Sequence, residues 1–101
     1  MQIKYNVQYT DEALTDLLEI VGWYQERRNG LEEEFRLSLE EMLSSIGRTP
    51  LMNPKNRRGV HSGLLRKFPY KIYYKVYDNV IKIYGLFHTS RNPKTIRERI
   101  K

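Results

Sequence analysis

The sequence predicts a small α+β domain in which a two-helix hairpin packs on one face of an antiparallel sheet. Three observations predict it. Apolar and polar residues alternate at the start of the chain and again after residue 62, while helical spacing fills the stretch between. Asn29-Gly30 divides that helical stretch, a signal for two antiparallel helices joined by a short turn. Asp78-Asn79 separates two runs rich in Tyr, Ile and Val, the signal for a β-hairpin. The expected order is β-α-α-β-β-β, in one domain over residues 1–101.

Ile3, Tyr5, Val7 and Tyr9 alternate with polar residues and predict a first strand. Thr10 is positioned as an N-cap, with Asp11 and Glu12 in the first turn, where negative charge suits the helix dipole. Leu14, Leu17, Leu18, Val21 and Tyr24 follow at helical spacing, and Ala13, Ile20 and Trp23 widen the apolar stripe. Trp23 is read as core, and the helix should run to about Arg28. A second helix from Leu31 to about Gly47 carries Phe35, Leu39, Met42, Leu43 and Ile46 inward, with Glu32 and Arg36 paired on its outer face.

Residues 48–62 read as a loop, with Pro50, Pro54, Gly59 and the basic cluster Lys55, Arg57 and Arg58. His61 falls there without an obvious partner and is expected in solvent. Strands follow at about residues 63–68, 69–77 and 80–89. Asn92-Pro93 would cap and start a short C-terminal helix.

A two-residue turn at Asp78-Asn79 sets the hairpin register, with Lys75 opposite Lys82 and Tyr73 opposite Tyr84. Period-two alternation then places Tyr70, Ile72, Tyr74, Val76, Ile81, Ile83 and Phe87 on a core face. Gly85 is expected opposite Ile72, letting a helix approach closely. The other face carries Lys71, Tyr73, Lys75, Tyr77, Lys82, Tyr84 and His88, and is expected to lie open. Like charges directly opposite destabilise a sheet, so the Lys75/Lys82 pair suits an anionic partner.

Charge divides sharply along the chain. Residues 1–46 carry ten acidic and four basic side chains, and residues 47–101 carry two acidic and fourteen basic. Such asymmetry points the second half toward an acidic protein or a nucleic acid. Cysteine is absent, which excludes disulfides, thiolate metal sites and a thiol nucleophile. The opening residues lack the apolar run of a signal peptide, and no run reaches membrane-span length, so a cytoplasmic protein without membrane partners is expected. There is no phosphate-binding glycine loop, no His/Cys/Asp cluster at metal spacing and no helix-turn-helix signature. No cofactor, no metal and no direct sequence-specific DNA binding are expected.

Three segments resemble the RelE/ParE superfamily, the toxins of type II toxin–antitoxin systems. TDEALTDLLEIVGWY after the opening strand looks like the family's first helix, LLRKFPYKIYYKVYDN like its central hairpin, and IKIYGLFHTSRNP like its last strand and His-x-x-Arg-x-Pro ending. The resemblance covers roughly residues 3–93. It implies a toxin neutralised by a cognate antitoxin. Within the superfamily, RelE-like members cut mRNA on the ribosome, and ParE-like members block DNA gyrase.

An RNA-cleavage reading would use Lys71 and Arg91 on phosphate and His88 as acid or base. Arg66 and Lys67 would add charge, and Tyr73 or Tyr84 would stack a base. Two departures weigh against it. Residues 90–101 lack the tyrosine or histidine often found in RelE-like tails, and Lys71 stands where arginine is expected. Lysine lacks the planar fork that grips phosphate at two points. The phrase RKFPYKIYYKV…LFHTSRNP is closer to ParE-like members. On that reading Arg66, Lys67, Tyr73, Lys75, Lys82 and Tyr84 form a binding surface for the target and perform no chemistry.

Overall fold

A computed structural model describes residues 5–100 of the chain. Its elements are β1 (Asn6–Tyr9), α1 (Asp11–Gln25), α2 (Leu31–Arg48), β2 (His61–Leu64), β3 (Tyr70–Tyr77), β4 (Val80–His88) and α3 (Pro93–Arg99). This is the expected order with the short C-terminal helix present. Ile3 and Lys101 lie outside the described residues. The four strands form one sheet in the order β1-β4-β3-β2. β2, β3 and β4 are antiparallel, and β1 adds in parallel against β4. Among the described residues no helix is long and apolar enough to cross a membrane.

Local signals set most boundaries. Thr10 Oγ1 accepts from the Ala13 N–H at 3.0 Å, the N-cap read from the sequence. α1 ends at Gln25, a turn earlier than expected, and Gly30 enters α2 in the left-handed region at φ +86°. Asn92 Oδ1 accepts from the Lys94 N–H at 2.9 Å and Pro93 opens α3, as the sequence predicts. Arg36 pairs with Glu33 and Glu40, not with Glu32, because Glu32 turns inward and is only partly exposed.

The core lies between the helical hairpin and one sheet face. Ala13, Phe35, Ile46, Ile72, Tyr74, Ile81 and Ile83 are fully buried. Each large aliphatic among them contributes roughly 1.5–3 kcal/mol by leaving water. Tyr24, Phe35 and Phe68 close one end as an aromatic cluster with ring centroids 5.1–5.5 Å apart. Leu14 and Leu18 stay exposed on α1, so its buried face is narrower than its apolar stripe. Trp23 is also exposed, at 48%, with the Arg27 guanidinium stacked 4.1 Å from its ring, contrary to its reading as core.

His61 corrects a second expectation. It belongs to β2 and is only 3% exposed. Its Nδ1 lies 2.7 Å from the Asn53 carbonyl oxygen, and its ring stacks on Tyr74 at 5.1 Å. The loop before β2 folds back over the sheet and supplies the partner that sequence reading could not see.

The largest departure is in the hairpin. Register holds from Tyr77↔Val80 to Tyr74↔Ile83, but Tyr73 then pairs with Gly85, not with Tyr84. Tyr84 is an extra residue, a β-bulge, and every later side chain of β4 changes face. Leu86, opposite Ile72, joins the core, and Phe87 leaves it for the opposite face. Gly85 accordingly faces Tyr73 and not Ile72.

Candidate functional site

The face expected to lie open is divided. Near the turn it carries Lys75, Tyr77, Lys82 and Tyr84. Lys75 and Lys82 pair directly, and their ammonium groups lie 5.6 and 5.5 Å from the Tyr84 ring centroid. The Tyr77 and Tyr84 hydroxyls are 3.0 Å apart. Burial, followed by the hydrogen bond to Tyr77, pushes the Tyr84 hydroxyl up to about 12. Neither lysine forms an ion pair among the described residues, so the patch stays cationic.

The other end of that face is covered. Phe87 is 1% exposed, packed edge-on against Tyr73 at 5.6 Å. The guanidinium groups of Arg99 and Arg91 lie 4.7 and 5.4 Å from its ring centroid. α3 brings Arg99 in, and Ile100 just beyond it is buried. Burial raises the Tyr73 hydroxyl above its ordinary value, which opposes a role as base at neutral pH.

Of the three candidate catalytic residues, the bulge separates Lys71 from His88. Lys71 pairs with Phe87 on the outer face. His88 pairs with Tyr70 and points to the helix side, where its ring meets the Tyr70 edge at 5.3 Å. Its Nδ1 lies 2.8 Å from the Ser90 hydroxyl. There it lines a cleft of about 460 Å³ with Trp23, Glu19 and Arg91. Arg91 lies over the ring of Phe87, the cross-strand partner of Lys71, while His88 is turned from Lys71.

Arg66 and Lys67 also leave the predicted surface. They form the turn before β3, with Lys67 in the left-handed region at φ 69°. Arg66 pairs with Glu41 of α2 at 3.2 Å, and its carbonyl accepts from the Ser38 hydroxyl. Of the six proposed binding residues, Tyr73, Lys75, Lys82 and Tyr84 remain on one face.

Comparison with known proteins fits this architecture. A family model described as the ParE toxin of the type II toxin–antitoxin system parDE matches residues 7–93. The chain belongs to the ParE toxin family. The fold is shared with solved toxins at low identity. A chain of the chromosomal ParDE system from P. aeruginosa superimposes with a TM-score of 0.68 at 18% identity, covering 87% of this chain and 98% of that one. The toxin–antitoxin complex RelBE2 from M. tuberculosis gives 0.56 at 21% identity, covering 87% and 94%. A mutant of E. coli RelE in the free state gives 0.62 at 15% identity, covering 97% and 99%. A search of curated proteins by sequence finds no significant match.

Two residues of this ParE-family chain organise the site without having been singled out in its sequence. Asp16 of α1 accepts from the Leu86 N–H at 3.1 Å, on the length of β4 that β1 does not reach. Arg99 of α3 grips the same carboxylate with two nitrogens, at 2.7 and 3.2 Å. Both side chains are under one-fifth exposed. The hydrogen bond to Asp16 raises the Arg99 guanidinium above its ordinary value, and the pair straps α3 across the sheet. The partners are 83 residues apart in the chain, so no local pattern announces them.

Proposed function

We propose that this chain is the toxin of a type II toxin–antitoxin pair that arrests growth by binding a protein target, DNA gyrase, and that a cognate antitoxin neutralises it. The bulge at Tyr84 carries this reading. Metal-free RNA cleavage needs a base, an acid and cations around one phosphate. Lys71 and His88 sit on opposite faces of the sheet, which speaks against their meeting at one phosphate. The match of the ParE family over residues 7–93 supports the same branch. The similarity to chains from the ParDE and RelBE2 assemblies supports the antitoxin. On this reading Lys75, Lys82, Tyr77 and Tyr84 form the contact patch at the turn end of the sheet, in a cytoplasmic protein.

One observation favours the second reading, an mRNA endonuclease. Arg91 lies over the Phe87 ring and Lys71 is the cross-strand partner of Phe87, which favours two cations on one side of the sheet for a phosphate. Induced expression in a bacterial host distinguishes the two, with mRNA ends mapped and DNA breaks scored in one culture. The gyrase reading expects DNA breaks with intact mRNA, and only graded loss of toxicity in Lys71→Ala, His88→Ala and Arg91→Ala. New mRNA 5′ ends within codons, abolished by any one of these changes in a folded variant, would overturn it.

A further inference from the structure

Charge in this protein is divided between its two layers. Ten of the twelve acidic residues fall within residues 11–41, in α1, α2 and the turn between them, and the other two are Asp78 and Glu98. Asp78 is the only carboxylate of the β3–β4 hairpin, and it forms no ion pair among the described residues.

Lys75 and Lys82 stand directly opposite each other on the two central strands of the sheet. Like charges so placed destabilise a sheet, and an anion bound between them would remove the penalty. Both lysines are half-buried, and their ammonium groups lie 5.6 and 5.5 Å from the one Tyr84 ring, which holds them in place. β1 extends the row. Its parallel register sets Gln8 beside Lys82 and Asn6 beside Val80, and both amide side chains are exposed. The Tyr77 and Tyr84 hydroxyls share one hydrogen bond at 3.0 Å, which leaves one phenolic O–H free to donate.

We propose that this patch docks on the phosphate backbone of double-helical DNA, the DNA on which gyrase works, an inference that rests on the gyrase reading for its setting. Ammonium, amide and phenol donors suit phosphate oxygens, and such contacts carry no sequence information. An acidic protein would match the charge. A protein interface also needs an apolar core, and Val80 is the one aliphatic side chain of the patch. A single strand needs free ring faces for its bases, and the Tyr84 ring already carries both lysines.

The probe is a fluorescent DNA duplex of about 20 base pairs, longer than the 40 Å extent of the protein. Anisotropy titrations of the isolated chain at several salt concentrations should give a log affinity that falls linearly with log salt. Lys75→Gln with Lys82→Gln should flatten that slope by about two and weaken binding about ten-fold at physiological salt. Circular dichroism and Tm should be kept, because the change removes a like-charge pair. Lys75→Arg with Lys82→Arg should retain the wild-type slope. Arg27→Gln with Arg48→Gln, an equal loss of charge in the helical layer, should leave the slope unchanged. Inhibition of gyrase supercoiling is scored in parallel. Inhibition by a wild-type chain that does not bind the duplex would overturn the proposal and leave the gyrase reading standing. Duplex binding that depends on the two lysines, in a chain that leaves gyrase active, would uphold the DNA site and overturn the gyrase reading. Equal slopes in the two Gln variants, tighter binding of oligo(dT) at equal phosphate count, or equal competition by polyglutamate would overturn the proposal.

Discussion

Asp16→Ala should destabilise this protein more than any other single change at an ionisable residue. The carboxylate holds the Arg99 guanidinium through two contacts and satisfies the Leu86 N–H. Surface ion pairs contribute about 0–1 kcal/mol, whereas removing one partner of a buried pair costs about 3–5 kcal/mol. With side chains 17% and 13% exposed, this pair lies between those limits, at roughly 2 kcal/mol. The orphaned Leu86 N–H adds about 1 kcal/mol or more. The expected loss is therefore about 3 kcal/mol, or a fall in Tm of roughly 15 °C for a domain of this size. Arg99→Ala should cost less, about 1.5 kcal/mol, because Asp16 keeps its bond to Leu86. Asp16→Asn should fall between, keeping an acceptor without the charge. Urea denaturation of the wild type, both single variants and the double variant gives the coupling energy, expected at about 1–2 kcal/mol. A coupling indistinguishable from zero would show that the strap does not hold α3 in solution, and the reasoning would fail with it.

Tyr74→Phe should cost about 1–2 kcal/mol in the same denaturation assay. Its hydroxyl donates to the Pro50 carbonyl at 2.9 Å and accepts from Asn53 at 3.0 Å, and both partners would lose it in a buried setting. Gly85→Ala should cost about 2 kcal/mol by overpacking, because a Cβ there would stand 2.7 Å from Phe87 Cε2 and 3.0 Å from Arg99 Nη1. A Tm equal to wild type would show that the ring and α3 yield freely. Tyr84 offers a pH test. Its hydroxyl is raised to about 12 from an ordinary 10, so the fold favours the neutral phenol. The resulting stability is complete below pH 10 and is lost as pH climbs through about 12. Tyr77→Phe should lower the Tyr84 titration only partway, since burial is the larger cause, and phenolate absorbance follows it directly.

The elements were legible because their signals are local. Thr10 and Asn92 cap the helices they precede, and Asn29-Gly30 and Asp78-Asn79 fall in the turns between elements. The apolar positions of α2, Leu37 excepted, face the core or its margin. What stayed hidden depends on distant partners. His61 is buried because a loop residue eight positions earlier supplies a carbonyl. Trp23 stays half-exposed at the surface, where the Arg27 guanidinium stacks on its ring. Arg66 turns to α2 because Glu41 waits there. The hairpin shows both sides of this division. Its register near the turn follows from turn length, and holds to Tyr74↔Ile83. Beyond that point alternation alone gave no sign that Tyr84 would be skipped, so Phe87 and His88 were assigned to the wrong faces.

The bulge explains why the candidate site differs from its sequence reading in several places at once. Skipping Tyr84 puts Gly85 on the outer face, where the absence of a Cβ leaves room for Phe87 and for Arg99. Phe87 then needs cover, and α3 supplies it, with Ile100 buried just beyond the helix. Covering Phe87 brings the Arg99 guanidinium to the unpaired length of β4, where Asp16 already binds the Leu86 N–H. The same displacement leaves Lys75, Lys82, Tyr77 and Tyr84 together on the outer face at the turn end, Tyr77 exposed and the others half-buried, and moves His88 behind the sheet. On the proposed reading, a bulge that assembles the strap and parts His88 from Lys71 suits a toxin that acts by binding. A nuclease on this fold would need His88 and Lys71 on one face. Deleting Tyr84 would keep this pairing and these faces; only pairing Tyr84 itself with Tyr73 would bring His88 and Lys71 to one face, and it would drive Leu86 out of the core and Phe87 back into it.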